Sequence, residues 1–265
     1  MANASDGPVT LGVDLASSSE RTSACRVVWA ADGLDVAFLD STEDGELVAA
    51  ILAADKTGLD CPLGWPRDFV ALLAAHDRGL PLPPRGRYDP HPDGRPGLDR
   101  LCFRLTDDLT WKAAKARPPL SVSTNLLGVV ALRAAHVLAA LQERGCPVPR
   151  DGSGRLAEVY PAAALRGWGI VADGSYKNAR PEAGAVRAGI LDALEQGLGR
   201  SFGGEVRERC RRSHDDLDAL ICALVARAAL VGATGYPGSA AEEACAETEG
   251  WIHLPRGPLA DLLEQ

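Results

Sequence analysis

The sequence has no pair of cysteines at the Cys-x-x-Cys spacing, and its seven cysteines are scattered between positions 25 and 245. An odd number of cysteines without paired spacing argues against a disulfide framework and against a cysteine-bound zinc site. Several of these cysteines lie within apolar runs. We therefore predict buried thiols in a reducing compartment.

The sequence also lacks a segment typical of a signal peptide or a membrane span. Residues 1–10 are polar and contain no basic stretch followed by an apolar one. The most apolar long segment, residues 126–141, contains Arg133 and His136, which favours a buried helix over a membrane helix. We expect a cytoplasmic protein with no membrane partner.

The sequence has fewer basic than acidic residues, 28 against 36, and its net charge is -8. This balance argues against a protein that coats nucleic acid through a strongly basic surface. Between Arg78 and Arg117, however, nine basic residues accompany only five aspartates. A site for a polyanion is therefore expected to be local, with a solvated loop region as the alternative interpretation of this stretch.

The order of apolar segments predicts an α/β protein. Residues 8–16, 24–29 and 35–39 are predicted strands; residues 44–54 have helical spacing, and residues 57–63 form a fourth predicted strand. Later segments predict a short strand at 156–160, a late strand at 251–254 and helices at about 123–144, 181–198 and 213–231, with Ser213 as an N-cap. The remainder, residues 232–249, is predicted to be a surface loop.

One domain is expected to cover residues 1–265, since this length is at the upper end of what one hydrophobic core holds. It is interrupted by a long basic insertion at about 78–120, which is rich in proline and glycine between positions 80 and 97. Long irregular segments inside a compact domain usually serve a site.

Acidic residues occur at four places where they end or interrupt apolar segments. Asp14 lies in the first predicted strand, Asp60 closes the fourth, and Glu158 lies in a short later strand. A lone carboxylate in such a position is costly unless it is paired or binds a cation. The fourth place is residues 214–220 (HDDLDAL), which open a strongly apolar helix. Capping of the helix, or an ion pair for Glu158, is the structural alternative.

Helical geometry separates the three aspartates of that last segment. At about 100° per residue, Asp218 lies at one edge of the apolar stripe and Asp215 roughly 60° further round on the same side. Asp216 lies on the opposite flank. We therefore expect Asp215 and Asp218 to point at one site beside the sheet, and Asp216 to be a surface residue.

Carboxylates at this density repel one another, and a hard divalent cation relieves the repulsion by offering positive charge to oxygen ligands. Mg²⁺ or Mn²⁺ suits such a set, whereas zinc prefers histidine and cysteine. Two such ions can activate water and stabilise the leaving oxygen of a phosphodiester. His214 is a candidate ligand or proton shuttle.

Together these segments resemble a known family. Residues 12–16 (GVDLA), 59–64 (LDCPLG), 104–107 (RLTD), 158–161 (EVYP), 214–220 (HDDLDAL) and 250–255 (GWIHLP) resemble, in this order, the motifs of DUF429 proteins. The resemblance implies an RNase H-like fold, with a central mixed sheet of five strands flanked by helices. It also implies a place for Asp14, Asp60 and Asp218 around two metal ions, with Asp215 one turn earlier.

The leading hypothesis is a nuclease that depends on Mg²⁺ or Mn²⁺ and hydrolyses DNA or RNA. The metal ligands would be Asp14, Asp60, Asp215 and Asp218, and Glu158 and His214 would complete the catalytic set. Phosphate contacts are expected from basic residues in and near the insertion, namely Arg85, Arg87, Arg95, Arg100, Arg104, Lys112 and Lys115.

Two other classes of function remain open at the level of the sequence. One is a non-catalytic module that keeps the fold and its carboxylates for binding a partner. The other is a phosphotransferase of the actin-like fold, to which residues 12–19 offer a first phosphate loop. Against the latter, residues 173–175 give no convincing second loop, and no GxxxxGK[ST] segment occurs.

Overall fold

The computed structural model describes residues 7–83, 100–114, 118–123, 127–170, 175–178 and 182–264. Its strands are β1 (Val9–Asp14), β2 (Ser23–Ala30), β3 (Gly33–Phe38), β4 (Lys56–Asp60) and β5 (Leu156–Glu158). They form one sheet in the order β3-β2-β1-β4-β5. Strands β1, β4 and β5 are parallel, whereas β2 is antiparallel to both of its neighbours. The predicted order of three strands, a helix and a strand is confirmed, as is a mixed five-stranded sheet flanked by helices.

The described residues also contain nine α-helices. They are α1 (Asp44–Ala53), α2 (Arg67–Asp77), α3 (Leu105–Ala114), α4 (Leu127–Glu143), α5 (Pro161–Gly167), α6 (Glu182–Leu198), α7 (Gly204–Arg212), α8 (His214–Leu230) and α9 (Ala240–Glu249). Short 3-10 turns lie at Ser19–Arg21, Ser175–Lys177 and Leu259–Leu263.

Two hydrophobic clusters cover the two faces of the sheet. On one face, Leu11 and Val13 of β1 pack with the buried residues of α1 and α4. On the other face, Val27 and Trp29 of β2 pack with α6, α7 and α8. Successive residues of a strand point to opposite faces. The central strand β1 is therefore covered on both sides, with Leu11 and Val13 on the face of α1 and α4 and Thr10 and Gly12 on the face of α8.

Helix α8 is the most deeply buried helix described. Every residue from Asp216 to Ala229 is buried, although a helix at the surface would show a polar face. The predicted N-cap is confirmed: the Ser213 side chain accepts a hydrogen bond from the backbone N–H of Asp216 at 3.2 Å. The cap fixes the residue at which the helix begins, and with it the direction of the acidic side chains in the first two turns.

Several boundaries differ from the sequence prediction. The segment predicted as a surface loop, residues 232–249, contains α9, which begins at the N-cap Ser239. The predicted late strand is reduced to isolated bridges between Glu158 and Ile252 and between Thr234 and Pro255. The helices α2, α5 and α7 were not predicted. They are between 7 and 11 residues long, and α2 has no buried residue.

The predicted insertion is in part regular structure. Helix α3 lies within it and buries Thr106, Asp107, Asp108 and Thr110. Residues 84–99, which contain most of its prolines and glycines, lie outside the described residues. No helix in the described part of the chain is long and apolar enough to cross a membrane.

All seven cysteines are free thiols, and four of them are buried, namely Cys25, Cys61, Cys210 and Cys222. Burial raises the pKa of each of these four thiols. A protonated thiol is a poor nucleophile and a poor metal ligand. These cysteines therefore act as small apolar side chains of the core.

Candidate metal centre

The centre is built first from Asp14 and Asp60, the last residues of two neighbouring parallel strands. They lie opposite each other in the register of β1 and β4. Asp14 lies two residues after Gly12, and Asp60 two residues after Gly58, so each aspartate shares a face of the sheet with its glycine. Both glycines are covered by the backbone of α8. The two carboxylates therefore project from the same edge of the sheet, on the side of that helix.

The first turn of α8 brings the next ligands. One side-chain atom each of Asp14, His214 and Asp215 can be chosen so that all three lie within 4.8 Å of one another. The imidazole Nδ1 of His214 lies 2.8 Å from the Asp215 carboxylate, and both side chains are partly exposed. The predicted meeting of strand and helix carboxylates is therefore what the structure shows for Asp14 and Asp215.

Asp218 lies one turn further into α8 and is only 1% exposed. The phenol of Tyr176 donates a hydrogen bond to its Oδ1 at 3.0 Å, and the ammonium of Lys177 lies 2.7 Å from its Oδ2. Asp218 contributes to the raised pKa of both Asp14 and Asp60, so it belongs to the same electrostatic centre.

Burial and mutual repulsion act together on these carboxylates. Burial raises the pKa of Asp14 well above its ordinary value, and the neighbouring Asp60 and Asp218 raise it further. Burial also raises the pKa of Asp60 to about 7, against the opposing effect of the Lys177 ammonium. The pKa of Asp215 is lowered instead, chiefly because His214 donates a hydrogen bond to it. Burial and the neighbouring carboxylates thus disfavour the ionised forms of Asp14 and Asp60.

The donor set fits Mg²⁺ or Mn²⁺. Four carboxylates supply the hard oxygen ligands that these ions prefer, and a single partly exposed histidine adds one nitrogen. The described cysteines that approach the centre are protonated and buried, which does not suit zinc. A divalent cation would also favour the ionised forms of Asp14 and Asp60, which burial disfavours.

Comparison with known proteins identifies the family of the chain. A family described as "Protein of unknown function (DUF429)" matches residues 12–242. The chain belongs to the DUF429 family. No curated protein and no solved structure matches the chain.

The DUF429 match includes every residue of the candidate centre. It begins at Gly12, two residues before Asp14, and extends beyond α8 to residue 242. Residues 250–255, which also carry the resemblance, lie after its end. The match therefore supports the family through the strands and the helix that build the site.

Glu158 does not join the aspartates in this DUF429 chain. It lies opposite Leu59 in the register of β4 and β5, and both face the cluster formed with α1 and α4. Its carboxylate accepts two hydrogen bonds from Arg104, at 2.6 and 2.7 Å, and one from the backbone N–H of Leu63 at 3.0 Å. Glu158 is thus half of a buried ion pair on the opposite face, although it also contributes to the raised pKa of Asp60, and its catalytic role stays a prediction.

Arg104 is the other half of that pair, and its surroundings do not favour the expected contact with phosphate. The side chain is 2% exposed, and its five N–H groups are all used inside the protein. They bond to the carboxylates of Glu158 and Asp107 and to the backbone oxygen of Glu249. A buried guanidinium saturated in this way has no donor left for a substrate.

The remaining predicted phosphate contacts differ in their surroundings. Arg100 is exposed, lies 3.4 Å from Asp68, and lines a cavity of about 260 Å³ with Arg67 and Glu249. Lys112 forms an ion pair of 2.7 Å with Asp108 and is 28% exposed. Arg85, Arg87, Arg95 and Lys115 lie outside the described residues.

Asp216 and Lys177 are the two residues whose roles the sequence did not indicate. Asp216, predicted at the surface, is 8% exposed because β2 and α7 cover its flank: Ser23 donates to it at 2.5 Å and Arg209 at 3.0 Å. Lys177 follows Tyr176 in a short 3-10 turn with no periodic pattern. Lys177 is far in sequence from every aspartate of the centre, so no motif or spacing predicted that it lies beside them.

Proposed function

We propose that this protein is a divalent-metal-dependent hydrolase that cleaves phosphodiester bonds of DNA or RNA on an RNase H-like fold. The observation that carries the proposal is the meeting of Asp14, at the end of β1, with His214 and Asp215 in the first turn of α8. Asp60, opposite Asp14 in the register of β4, and Asp218 of α8 both act electrostatically on Asp14. Acids on the first strand, on the fourth strand and on a late helix packed against the sheet are the arrangement expected for that superfamily.

The residues divide into two groups by exposure. Asp14, His214 and Asp215 lie at the mouth of the centre and would hold an ion that a substrate can reach. Asp60 and the buried Asp218 would hold the inner side. A bound Mg²⁺ or Mn²⁺ would supply the positive charge that stabilises the phosphate oxygens and lowers the pKa of an attacking water. The imidazole of His214 is 39% exposed, which lets it move a proton between the centre and solvent.

Nucleic acid is the proposed substrate because residues 78–117 carry a local excess of positive charge, with nine basic residues and five aspartates. Of the expected phosphate contacts in this stretch, Arg100 is 52% exposed and pairs with Asp68, and Lys112 is 28% exposed and pairs with Asp108. A local basic region can position phosphates although the whole chain is acidic.

The test is cleavage of branched DNA, single-stranded DNA and RNA in the presence of Mn²⁺, with Mn²⁺ binding measured by calorimetry in parallel. Wild type is expected to cleave at least one substrate, and Asp14→Asn is expected to lose cleavage and to bind Mn²⁺ weakly. Asp35→Asn, which removes an equal charge from an exposed ion pair on β3, is the matched control and is expected to behave as wild type.

Circular dichroism of each variant must match that of wild type for the comparison to count. Mn²⁺ binding without cleavage of any substrate would contradict the hydrolase and support a non-catalytic binding module. Failure of the wild-type protein to bind Mn²⁺ would contradict the metal centre itself.

A further inference from the structure

Lys177 occupies a position inside the candidate centre. Its Nζ lies 2.7 Å from Oδ2 of Asp218, a carboxylate that is itself 1% exposed. The lysine side chain is 40% exposed, so the ammonium reaches the buried aspartate from the solvent side. An ion pair with one buried and one exposed partner is tight at the carboxylate but leaves the flexible lysine stem free to move.

The backbone before Lys177 is fixed, which determines where its side chain begins. Tyr176 is completely buried, and its phenol donates to the second oxygen of Asp218. The backbone oxygen of Tyr176 accepts a hydrogen bond of 2.6 Å from Arg187 of α6. Lys177 is therefore held beside the aspartates by its neighbour, while its own four-carbon stem is the mobile element.

The ammonium acts on the whole group of carboxylates. Lys177 opposes the raised pKa of Asp14 and of Asp60 and contributes to the lowered pKa of Asp215. Arg104 is also a buried cation, but its hydrogen bonds go to Glu158 and Asp107 on the opposite face of the sheet. Among the described residues, Lys177 is thus the permanent cation that faces the four aspartates.

We propose that Lys177 is a built-in counter-ion of the metal centre, which neutralises Asp218 in the metal-free chain and is displaced when a divalent cation binds. The reason is electrostatic: an ammonium and a divalent ion on one carboxylate repel each other, and the partly exposed lysine is the one that can leave. This inference rests on the proposed metal centre and adds that metal binding competes with a residue of the chain itself.

A competing ammonium lowers the apparent affinity for the metal. Lys177→Met keeps the length of the stem and removes the charge, so we expect it to bind Mn²⁺ about ten-fold more tightly than wild type, the order expected for one unit charge a few ångströms away. Arg26→Met is the matched control, since Arg26 lies on β2 in an exposed ion pair with Asp35. It is expected to leave the affinity unchanged.

Displacement can also be measured on the wild-type chain, which does not depend on the folding of a variant. Acetic anhydride labels exposed amines, and mass spectrometry gives the extent of labelling at each lysine. Addition of Mn²⁺ is expected to increase the labelling of Lys177 several-fold, while Lys112, in its pair with Asp108, serves as the internal reference.

The outcomes separate the inference from the proposed function. Equal Mn²⁺ affinity of wild type and Lys177→Met would contradict the role of Lys177 as a displaced counter-ion. Unchanged labelling of Lys177 on metal binding would contradict it as well. Neither result would contradict the metal centre. Absence of Mn²⁺ binding by both wild type and Lys177→Met overturns both proposals. Tighter binding by the variant together with increased labelling of the wild type supports the displaced lysine.

Discussion

Gly12 and Gly58 lie opposite each other on β1 and β4, and the backbone of α8 rests directly on both of them. A Cβ atom on Gly12 would lie 1.9 Å from the backbone oxygen of Ala219, and one on Gly58 would lie 2.2 Å from that of Cys222. These distances are far below any van der Waals contact. The pair of glycines therefore sets the distance between the sheet and the helix, and Asp14 and Asp60 follow each glycine by two residues.

Replacement of Gly12 by alanine is expected to push α8 off the sheet. Because the clash is with backbone atoms, it cannot be relieved by a side-chain rotation, and we expect a loss of roughly 2–3 kcal/mol in the free energy of unfolding. Urea denaturation measures this loss. Gly45→Ala in α1 is the control: no atom lies within 4 Å of its Cβ position, so stability should stay equal or rise slightly. A Gly12→Ala protein as stable as wild type would contradict the close approach.

The raised pKa of Asp60 predicts how the metal-free protein responds to pH. The folded chain holds a proton on Asp60 up to about pH 7, whereas the unfolded chain releases it near pH 4, so the folded state binds more protons between these values. Stability is therefore lost as the pH rises from about 4 to about 7. Asp60→Asn removes this cost, and we expect it to be more stable than wild type at pH 8 by about 1–3 kcal/mol.

The measurement for Asp60 is thermal or urea unfolding at pH 8 and at pH 4 in the presence of a chelator. The gain should vanish at pH 4, where the wild-type carboxyl is protonated in both states. Saturating Mn²⁺ should reverse the order at pH 8, since the wild type then gains binding free energy that the variant lacks. An Asp60→Asn protein that is less stable than wild type at pH 8 without metal would show that Lys177 already neutralises the centre.

The sequence predicted the framework of the site because its strongest signals are local. Asp14 and Asp60 end apolar strands, and Ser213 precedes the apolar helix, so each could be placed from neighbours a few residues away. Helical geometry then placed Asp215 and Asp218 on one side of the helix, where Asp215 lies near Asp14 and Asp218 acts electrostatically on it. These residues are the part of the centre that periodicity and capping determine.

The other contacts depend on elements that are distant in the chain. Glu158 and Arg104 are separated by 54 residues, and only the fold shows that they pair on the opposite face of the sheet. The same holds for Asp216, which is buried because Ser23, 193 residues away, meets it. No periodicity or motif spacing in the sequence predicts the position of Lys177. Charges are paired by tertiary structure, and a single sequence does not encode which partner a buried charge meets.

The buried pair of Arg104 and Glu158 predicts a large loss of stability on neutralising the arginine. Arg104→Met leaves Glu158 and Asp107 buried without a cation, and removing one partner of a buried pair typically costs about 3–5 kcal/mol. Urea denaturation at neutral pH measures the loss. Arg26→Met, in an exposed pair, should change stability by less than about 1 kcal/mol.

A double variant tests whether the cost of Arg104→Met comes from the stranded carboxylates. Glu158→Gln removes one of them, so the free energy of unfolding of Arg104→Met/Glu158→Gln should exceed that of Arg104→Met alone. Simple additivity of the two single changes would contradict a direct pairing.

His253 provides a prediction away from the metal centre. Its side chain is fully buried, with Nε2 donating to the backbone oxygen of Asp151 at 3.0 Å and Nδ1 lying 2.9 Å from the hydroxyl of Thr234. Burial lowers its pKa to about 4, so the folded chain keeps it neutral, whereas the unfolded chain protonates it near pH 6.5. The folded state then binds fewer protons, and stability is lost as the pH falls from 6.5 towards 4.

Proton NMR of the histidine rings measures this directly, with His253→Gln used to assign the resonance. We expect the His253 ring to remain neutral at pH 5.5 and to titrate only near pH 4. Gly152→Ala offers a structural check, because its Cβ atom would lie 1.9 Å from Nε2 of His253 and must displace the ring from Asp151. A ring that titrates near pH 6.5 in the wild-type protein would mean that water reaches His253. Its two hydrogen bonds would then not hold the C-terminal segment against the loop at Asp151.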